Sequence, residues 1–261
     1  MQRDVNPKKF LGQHFLIDDN ISKKIVEAIN FKKFKKVIEI GPGKGALTKH
    51  LLHIKDMLTL IEVDKQSVEF LNIEFKKEKL NIVEADFLKF DMESTYPYEK
   101  DILIIGNFPY NISSQILFKS IDDHKSISGL VGMFQKEVAE RIISKNNCKQ
   151  YGKLSVKTQL FYDTKILFNV SPNVFFPKPK VDSSVISLTR KKNLNIDCDL
   201  DLLDKVIKLS FQQRRKKLKN SLKKLDIQEN ILEDSIFELR PEQLTVEEFV
   251  KLAKKISDET I

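Results

Sequence analysis

Apolar residues in the first two thirds of the chain fall into short aliphatic runs separated by amphipathic stretches, an alternation that predicts strands joined by helices. Val37-Ile38-Glu39-Ile40, Leu58 to Val63, Leu80 to Val83, Ile102 to Ile105 and Gly129 to Phe134 read as successive strands, the fourth with four aliphatics between Asp101 and Gly106. Such continuous runs suit a parallel sheet buried on both faces. Between the strands, Ile21, Ile25 and Ile29 behind Asp18 predict one helix, and Leu47, Leu51 and Ile54 a second. A third carries Ile116, Leu117 and Ile121, with Asn111 or Ser113 as its cap. Lys136 to Ile143 and Leu154 to Phe161 are also helical by spacing. Val181 to Leu188 alternates through Val185 and Leu188 as a late strand, which antiparallel pairing places beside Lys165 to Val170. Together these elements predict an α/β domain built on a mostly parallel seven-stranded sheet.

Beyond the charged stretch Arg190 to Asp199, the candidate junction, the pattern becomes helical only. Leu202, Leu203, Val206 and Ile207 form one stripe and Leu218, Leu222 and Leu225 another, while Thr245 with Glu248 makes a capping box for a last helix after Pro241. Residues 1–192 are therefore expected to form the larger domain and residues 193–261 a small all-α domain.

Composition narrows the possibilities. No segment reaches the ~18 apolar residues of a membrane span, and Met1 to Phe15 lacks the apolar run of a signal peptide, so the default is a cytoplasmic protein. Cys148 and Cys198 are the only cysteines and make no CxxC pair, which disfavours a disulfide framework or a thiolate metal site. His50 and His53 share a face near a helix end, where a solvated role is favoured over a metal pair.

The formal charge is +8, with a pI near 9.2, values that suit a polyanionic partner. Its distribution says more. From Lys205 to Leu225 there are nine basic residues and no acidic one. Arg214, Arg215, Lys216, Lys217, Lys219, Lys223 and Lys224 are expected on one helix, a density better explained by a nucleic-acid backbone than by solubility.

Chemistry concentrates at the predicted carboxyl ends of strands, where open α/β sheets bind ligands. After Ile105 comes Gly106-Asn107-Phe108-Pro109-Tyr110. Pro109 fixes its own φ and pushes Phe108 towards an extended conformation, so that the Asn107 side chain and the Phe108 carbonyl offer two acceptors to one cleft. Tyr110 adds a flat face, and two acceptors beside a ring suit the exocyclic amine of a base. Gly41-Pro42-Gly43-Lys44-Gly45-Ala46 follows the first strand, and Glu62 lies twenty-one residues beyond Gly41, where a ribose-binding acid belongs. By itself this turn also fits a dinucleotide site of a nicotinamide enzyme. Glu39 before the turn, and Asp86 placed to accept from an adenine amine, lean towards S-adenosylmethionine.

The chain opens with Lys8-Lys9-Phe10-Leu11-Gly12-Gln13-His14-Phe15-Leu16, in which polar Gln13 and His14 amid Phe and Leu are compatible with a simple staple onto the core. Phe10 to Leu16, Glu39-Ile40-Gly41-Pro42-Gly43, Asn107-Phe108-Pro109-Tyr110, Phe175-Phe176-Pro177-Lys178-Pro179-Lys180-Val181-Asp182-Ser183-Ser184 and Phe211-Gln212-Gln213-Arg214-Arg215-Lys216-Lys217-Leu218 also carry a resemblance. In that order, and across nearly the whole chain, they resemble the ribosomal RNA adenine dimethyltransferase family.

The resemblance implies a Rossmann-like class I methyltransferase using S-adenosylmethionine. His14 and Leu16 would close over its methionine part, Gly41 would lie beneath, Glu62 would hold the ribose and Asp86 the adenine amine, with Asn107 near the sulfonium. Asn107, Phe108 and Pro109 would form the grip on the substrate amine, with Tyr110 and Phe175 stacking on the two faces of a flipped adenine. Arg214, Arg215, Lys216 and Lys219 would hold RNA. Two positions depart from the pattern: His14 stands where Asn is common, and Phe108 where Leu is common.

Asn111-Ile112-Ser113-Ser114 and Met133-Phe134-Gln135-Lys136-Glu137-Val138-Ala139-Glu140-Arg141 resemble the housekeeping branch. Its members dimethylate two adjacent adenosines near the 3′ end of 16S rRNA in the small ribosomal subunit or its precursor. The resistance branch, acting on large-subunit rRNA, and a non-catalytic RNA-binding assembly factor are the alternatives. A monomer without metal is expected.

Overall fold

The computed structural model describes residues 5–194 and 196–258; Asn195 in the expected junction, and the extreme ends of both expected domains, lie outside them. From the N-terminus the chain runs β1 (Phe15–Leu16), α1 (Asp19–Glu27), β2 (Lys36–Ile40), α2 (Thr48–Leu51), β3 (Leu58–Glu62), α3 (Lys65–Glu74), β4 (Asn81–Glu84), α4 (Met92–Thr95), β5 (Ile102–Asn107), α5 (Ser113–Asp122), β6 (Ile127–Gln135) and α6 (Lys136–Ile143). It continues through α7 (Lys153–Phe161), β7 (Tyr162–Val170), β8 (Phe175–Phe176) and β9 (Ser183–Arg190), then α8 (Leu200–Gln212), α9 (Leu218–Ser221), α10 (Glu229–Leu232) and α11 (Val246–Asp258).

The chain forms two compact units: residues up to Ala139 with Asp163–Arg190, and Glu140–Tyr162 with the chain from Lys191 onward. In the first, a seven-stranded sheet has the order β4-β3-β2-β5-β6-β9-β7. The pairs β2–β3, β2–β5, β3–β4 and β5–β6 are parallel, and β6–β9 is antiparallel. The aliphatic strands β2 and β5 lie at the centre because both faces are covered, and Val37, Ile38, Ile104 and Ile105 are fully buried. Successive strands step one way from β2 to β4 and the other way from β5 to β6. The crevice where these directions diverge opens at the carboxyl ends of β2 and β5, immediately before Gly41 and at Asn107.

Side-chain caps set several of the helix starts. Asp18 accepts from the Ile21 amide at 3.1 Å and starts α1, Asp64 accepts from Gln66 at 3.1 Å and starts α3, and Asp199 accepts from Leu202 at 2.7 Å and starts α8. Thr245 and Glu248 form the reciprocal pair of a capping box before α11.

Two expectations need correction here. Ile112 occupies the N-cap of α5 with no side-chain bond, and Ser113 instead donates to the Tyr110 carbonyl at 3.3 Å, so neither Asn111 nor Ser113 caps that helix. The helix expected through Leu47, Leu51 and Ile54 shrinks to the single turn α2, followed by a tighter turn over Leu52–Met57 in which Ile54 leaves helical geometry at φ −119°. The break lets Ile54 pack on the core before the chain re-enters the sheet.

In the second unit α7, α8 and α11 pack together. Phe211 lies between Tyr151 and Phe249, with ring centroids 6.1 and 5.7 Å away. Residues 140–162, which the sequence grouped with the sheet, belong to this helical unit. The physical reason is α7 itself: Leu154, Ser155, Val156, Thr158, Leu160 and Phe161 are all buried, so the helix has little polar face to leave in water.

Candidate active site

A cavity of about 270 Å³ opens at the crevice between β2 and β5. Of the residues singled out from the sequence, it gathers His14, Gly41, Glu62, Asp86, Asn107, Phe108, Pro109 and Tyr110. Gly41 adopts φ +64°, and a Cβ there would project into open space, so main chain rather than side chain faces the cavity at that point.

Glu62 ends β3 with 4 % of its surface exposed. Its carboxylate accepts from the Gly43 amide at 3.0 Å and the Asp64 amide at 2.9 Å. Burial raises its pKa, and these backbone donors only partly oppose the effect. Held by main-chain donors alone, the fixed carboxylate keeps acceptor capacity, which fits a ribose diol donating two hydroxyls. Asp86 accepts from the Leu88 amide at 2.9 Å and lines the cavity one strand further out, as an acceptor for an adenine amine requires.

Behind the turn, Glu39 is buried and accepts from the Thr48 hydroxyl at 2.8 Å. Burial, with the nearby Glu62 adding to it, pushes its carboxyl up to about 8 despite that bond.

At the end of β5, the Asn107 Nδ2 donates to the His14 carbonyl at 2.8 Å. That bond turns the Oδ1 of the same amide the other way. The Phe108 ring is buried against Phe134, in a slot between β5 and β6 that exists because Gly106 and Gly132 lack side chains. A Cβ at Gly132 would lie 2.1 Å from the ring, and one at Gly106 2.6 Å. With its ring held in the core, Phe108 contributes to the cavity through its main chain, and the departure from Leu alters packing rather than chemistry.

Tyr110 donates to or accepts from Ser183 Oγ at 2.5 Å, and its ring lies 5.3 Å from the His14 ring at a tilt of 31°. Burial raises the phenol's pKa more than the Ser183 bond lowers it, keeping it neutral. His14 in turn is fixed by a 2.6 Å contact between Nδ1 and the Pro177 carbonyl.

Two expected site residues lie elsewhere. Leu16 and Phe175 are directly opposed in the antiparallel β1–β8 pair, 6 % and 3 % exposed, and both join the hydrophobic core. Register is the reason: opposed residues leave a ribbon on the same side, and this side faces inward. Phe175 is therefore a core aromatic and not a wall of the cavity.

The sequence also missed an anchor. Lys8 Nζ contacts Asp64 Oδ1 at 2.5 Å, Gln13 Nε2 donates to Asp64 Oδ2 at 3.2 Å, and the Lys8 amide donates to Gln13 Oε1 at 2.8 Å. Burial pushes the Asp64 pKa up, but Lys8, Gln13 and the Gln66 amide outweigh it and hold the carboxyl below its usual range. The segment Phe10 to Phe15, which lines the cavity, is thus tied to the residue two places beyond Glu62. Polar Gln13 between apolar neighbours was the visible signal: Leu16 staples the segment to the core, and Gln13 adds the polar anchor.

In the helical unit the basic stretch is not one helix. α8 stops at Gln212, residues 213–217 turn, and α9 is short. Arg214 donates to the Lys149 and Cys148 carbonyls at 2.5 and 3.1 Å and faces Glu242 at 3.7 Å. Lys217 and Lys219 both pair with Glu238, whose carboxyl they hold at about 2. Arg215, Lys216, Lys223 and Lys224 are exposed. Among the described residues no group of three or more His, Cys, Asp or Glu side chains is placed to hold a metal ion, and no helix is long and apolar enough to cross a membrane.

Comparison with known proteins agrees with this geometry. Residues 5–258 match the family model described as ribosomal RNA adenine dimethylase. The ribosomal RNA small subunit methyltransferase A of Flavobacterium johnsoniae is 51% identical over 252 residues, covering 97% of this chain and 96% of that protein. Its counterpart of the same name in Cytophaga hutchinsonii is 46% identical, with 97% and 98% covered. A dimethyladenosine transferase from Plasmodium falciparum superposes with a TM-score of 0.80 at 26% identity, over 95% of this chain and 99% of that one.

Proposed function

The chain belongs to the ribosomal RNA adenine dimethylase family, and on that premise we propose that it transfers methyl groups from S-adenosylmethionine to the N6 amines of two adjacent adenosines in the 3′-terminal hairpin loop of 16S rRNA, during small-subunit biogenesis. The observation that carries the proposal is the Asn107 amide, whose bond to the His14 carbonyl at 2.8 Å commits its nitrogen and leaves its oxygen as an acceptor.

The residues fit the donor. Glu62 takes the ribose, Asp86 the adenine amine, and the open main chain at Gly41 the methionine part beneath His14. When bound, S-adenosylmethionine supplies a sulfonium methyl that is already a strong electrophile.

The N6 lone pair of adenine is delocalised into the ring and is a poor nucleophile. Asn107 Oδ1 and the Phe108 carbonyl each accept one N–H, which favours a pyramidal nitrogen and localises the pair. Alignment and these fixed acceptors supply the rate, so no general base is needed. The Tyr110 face holds the unstacked base, and its bond to Ser183 fixes the ring's position. A proton leaves to solvent after transfer, and a second round on the same nitrogen needs only one N–H acceptor.

In this proposal the helical unit positions rRNA through the exposed cations Arg215 and Lys216. A-form RNA presents phosphates and 2′-hydroxyls rather than readable major-groove edges. The protein acts as a monomer in the cytoplasm, on the small subunit or its precursor.

The test is to incubate the protein and labelled methyl donor with small-subunit particles, large-subunit particles and free RNA, then map modified nucleotides. Two adjacent dimethylated adenosines in small-subunit RNA support the proposal. Label in large-subunit RNA alone, or none, rejects it.

A further inference from the structure

Phe176 and Phe15 face each other directly in the β1–β8 pair, so both side chains leave the ribbon on the side opposite to Leu16 and Phe175. Phe15 lines the cavity, while Phe176 is 60 % exposed. The next residue, Pro177, holds His14 through its carbonyl at 2.6 Å, and the His14 ring backs that of Tyr110. An apolar ring in solvent therefore stands one residue from the groups that fix the base-binding face. Lys178 and Lys180 follow it, both exposed, on a loop stiffened by Pro177 and by Pro179, which is buried.

We propose that Phe176, Lys178 and Lys180 form a second nucleotide site, which takes the base flanking the adenosine in the cavity and its phosphate. An aromatic face beside cations on a rigid loop is the usual chemistry of single-stranded nucleic-acid binding, and stacking tolerates any base. With two adjacent adenosines as substrate, the flanking base must be kept from restacking on the one being methylated. Phe176, exposed where Phe175 is buried in the core, supplies that replacement stack. The inference rests on the rRNA reading above and assigns the substrate contact beside that site.

The experiment uses the full-length protein, small-subunit particles for kinetics, and an RNA hairpin carrying 2-aminopurine next to the target adenosine for binding. Phe176→Ala is expected to raise KM for RNA by about ten- to hundredfold and to abolish the 2-aminopurine response, with the affinity for S-adenosylmethionine unchanged. Phe176→Trp restores both RNA readouts. Lys178→Ala and Lys180→Ala each reduce the salt slope of RNA binding by about 1. Wild-type KM and fluorescence in Phe176→Ala, in a protein that methylates normally, overturn this inference alone. A wild-type protein that transfers no methyl to RNA overturns the parent proposal and this one with it.

Discussion

Asn107 and His14, 93 residues apart in sequence, are joined by one hydrogen bond from the amide nitrogen of the first to the main-chain carbonyl of the second, 2.8 Å long. It closes the N-terminal segment onto the end of the central strand and at the same time decides which end of the amide is left free to accept. Asn107→Asp removes the donor without changing size and sets a carboxylate against a carbonyl. We expect a loss of about 1–3 kcal/mol in the closed arrangement. Hydrogen exchange should show it as faster exchange of the amides in residues 10–16, with the sheet unaffected.

Lys8 and Asp64 make a second closure of the same segment. The Asp64 side chain is fully buried and that of Lys8 28 % exposed. Asp64→Asn should weaken binding of S-adenosylmethionine several-fold, because the neutral amide holds Lys8 and Gln13, and with them the cavity-lining segment, less firmly. Its acid arm is diagnostic. The folded-state pKa lies below the unfolded value of about 3.9, so the carboxylate's contribution is present above that value and disappears as pH falls through the folded one. Below about pH 4 the wild type should therefore lose stability more steeply than Asp64→Asn in thermal melts.

Glu39 has the opposite sign. Its folded value of about 8 exceeds the unfolded carboxylate value of about 4.3, so the neutral form is the one the folded state favours. Stability from this group is complete below about pH 4.3 and falls as pH rises towards 8, by at most about 1.4 kcal/mol per unit. Glu39→Gln should flatten the decline in Tm between pH 5 and 8 and exceed the wild type at pH 8. Parallel curves for the two proteins would show that Glu39 ionises normally.

Within the basic stretch the exposed and the paired cations should separate. Arg215→Ala and Lys216→Ala should lower RNA affinity at low salt and reduce the salt slope by about 1 each, leaving Tm in place. Lys219→Ala, which removes a partner of Glu238, should move the RNA slope less than either. Filter binding across a salt series distinguishes the two groups.

The central strands were legible in the sequence because parallel strands buried on both faces are continuous aliphatic runs, and the two acids that line the cavity because they stand at strand ends. The β1–β8 ribbon was not. Two-residue strands show no periodicity, and Phe175 and Phe176 are alike in type, so only the register with Phe15 and Leu16 tells the core ring from the exposed one. The stop of α8 was equally silent. Gln213 to Lys217 contains no glycine or proline, and the chain leaves the helix where Arg214 finds the carbonyls of Cys148 and Lys149 and the carboxylate of Glu242. Asp64 reads locally as a helix cap, which it is, and its second task appears only when Lys8 is folded beside it.

The grip on the amine is tested most directly by Asn107→Ala, assayed for RNA binding and for methyl transfer to small-subunit particles in the same preparation. RNA binding within about twofold of wild type, with transfer reduced at least about a hundredfold, is the expected result. Transfer at the wild-type rate would contradict it, since the nitrogen would then need no acceptor at this position.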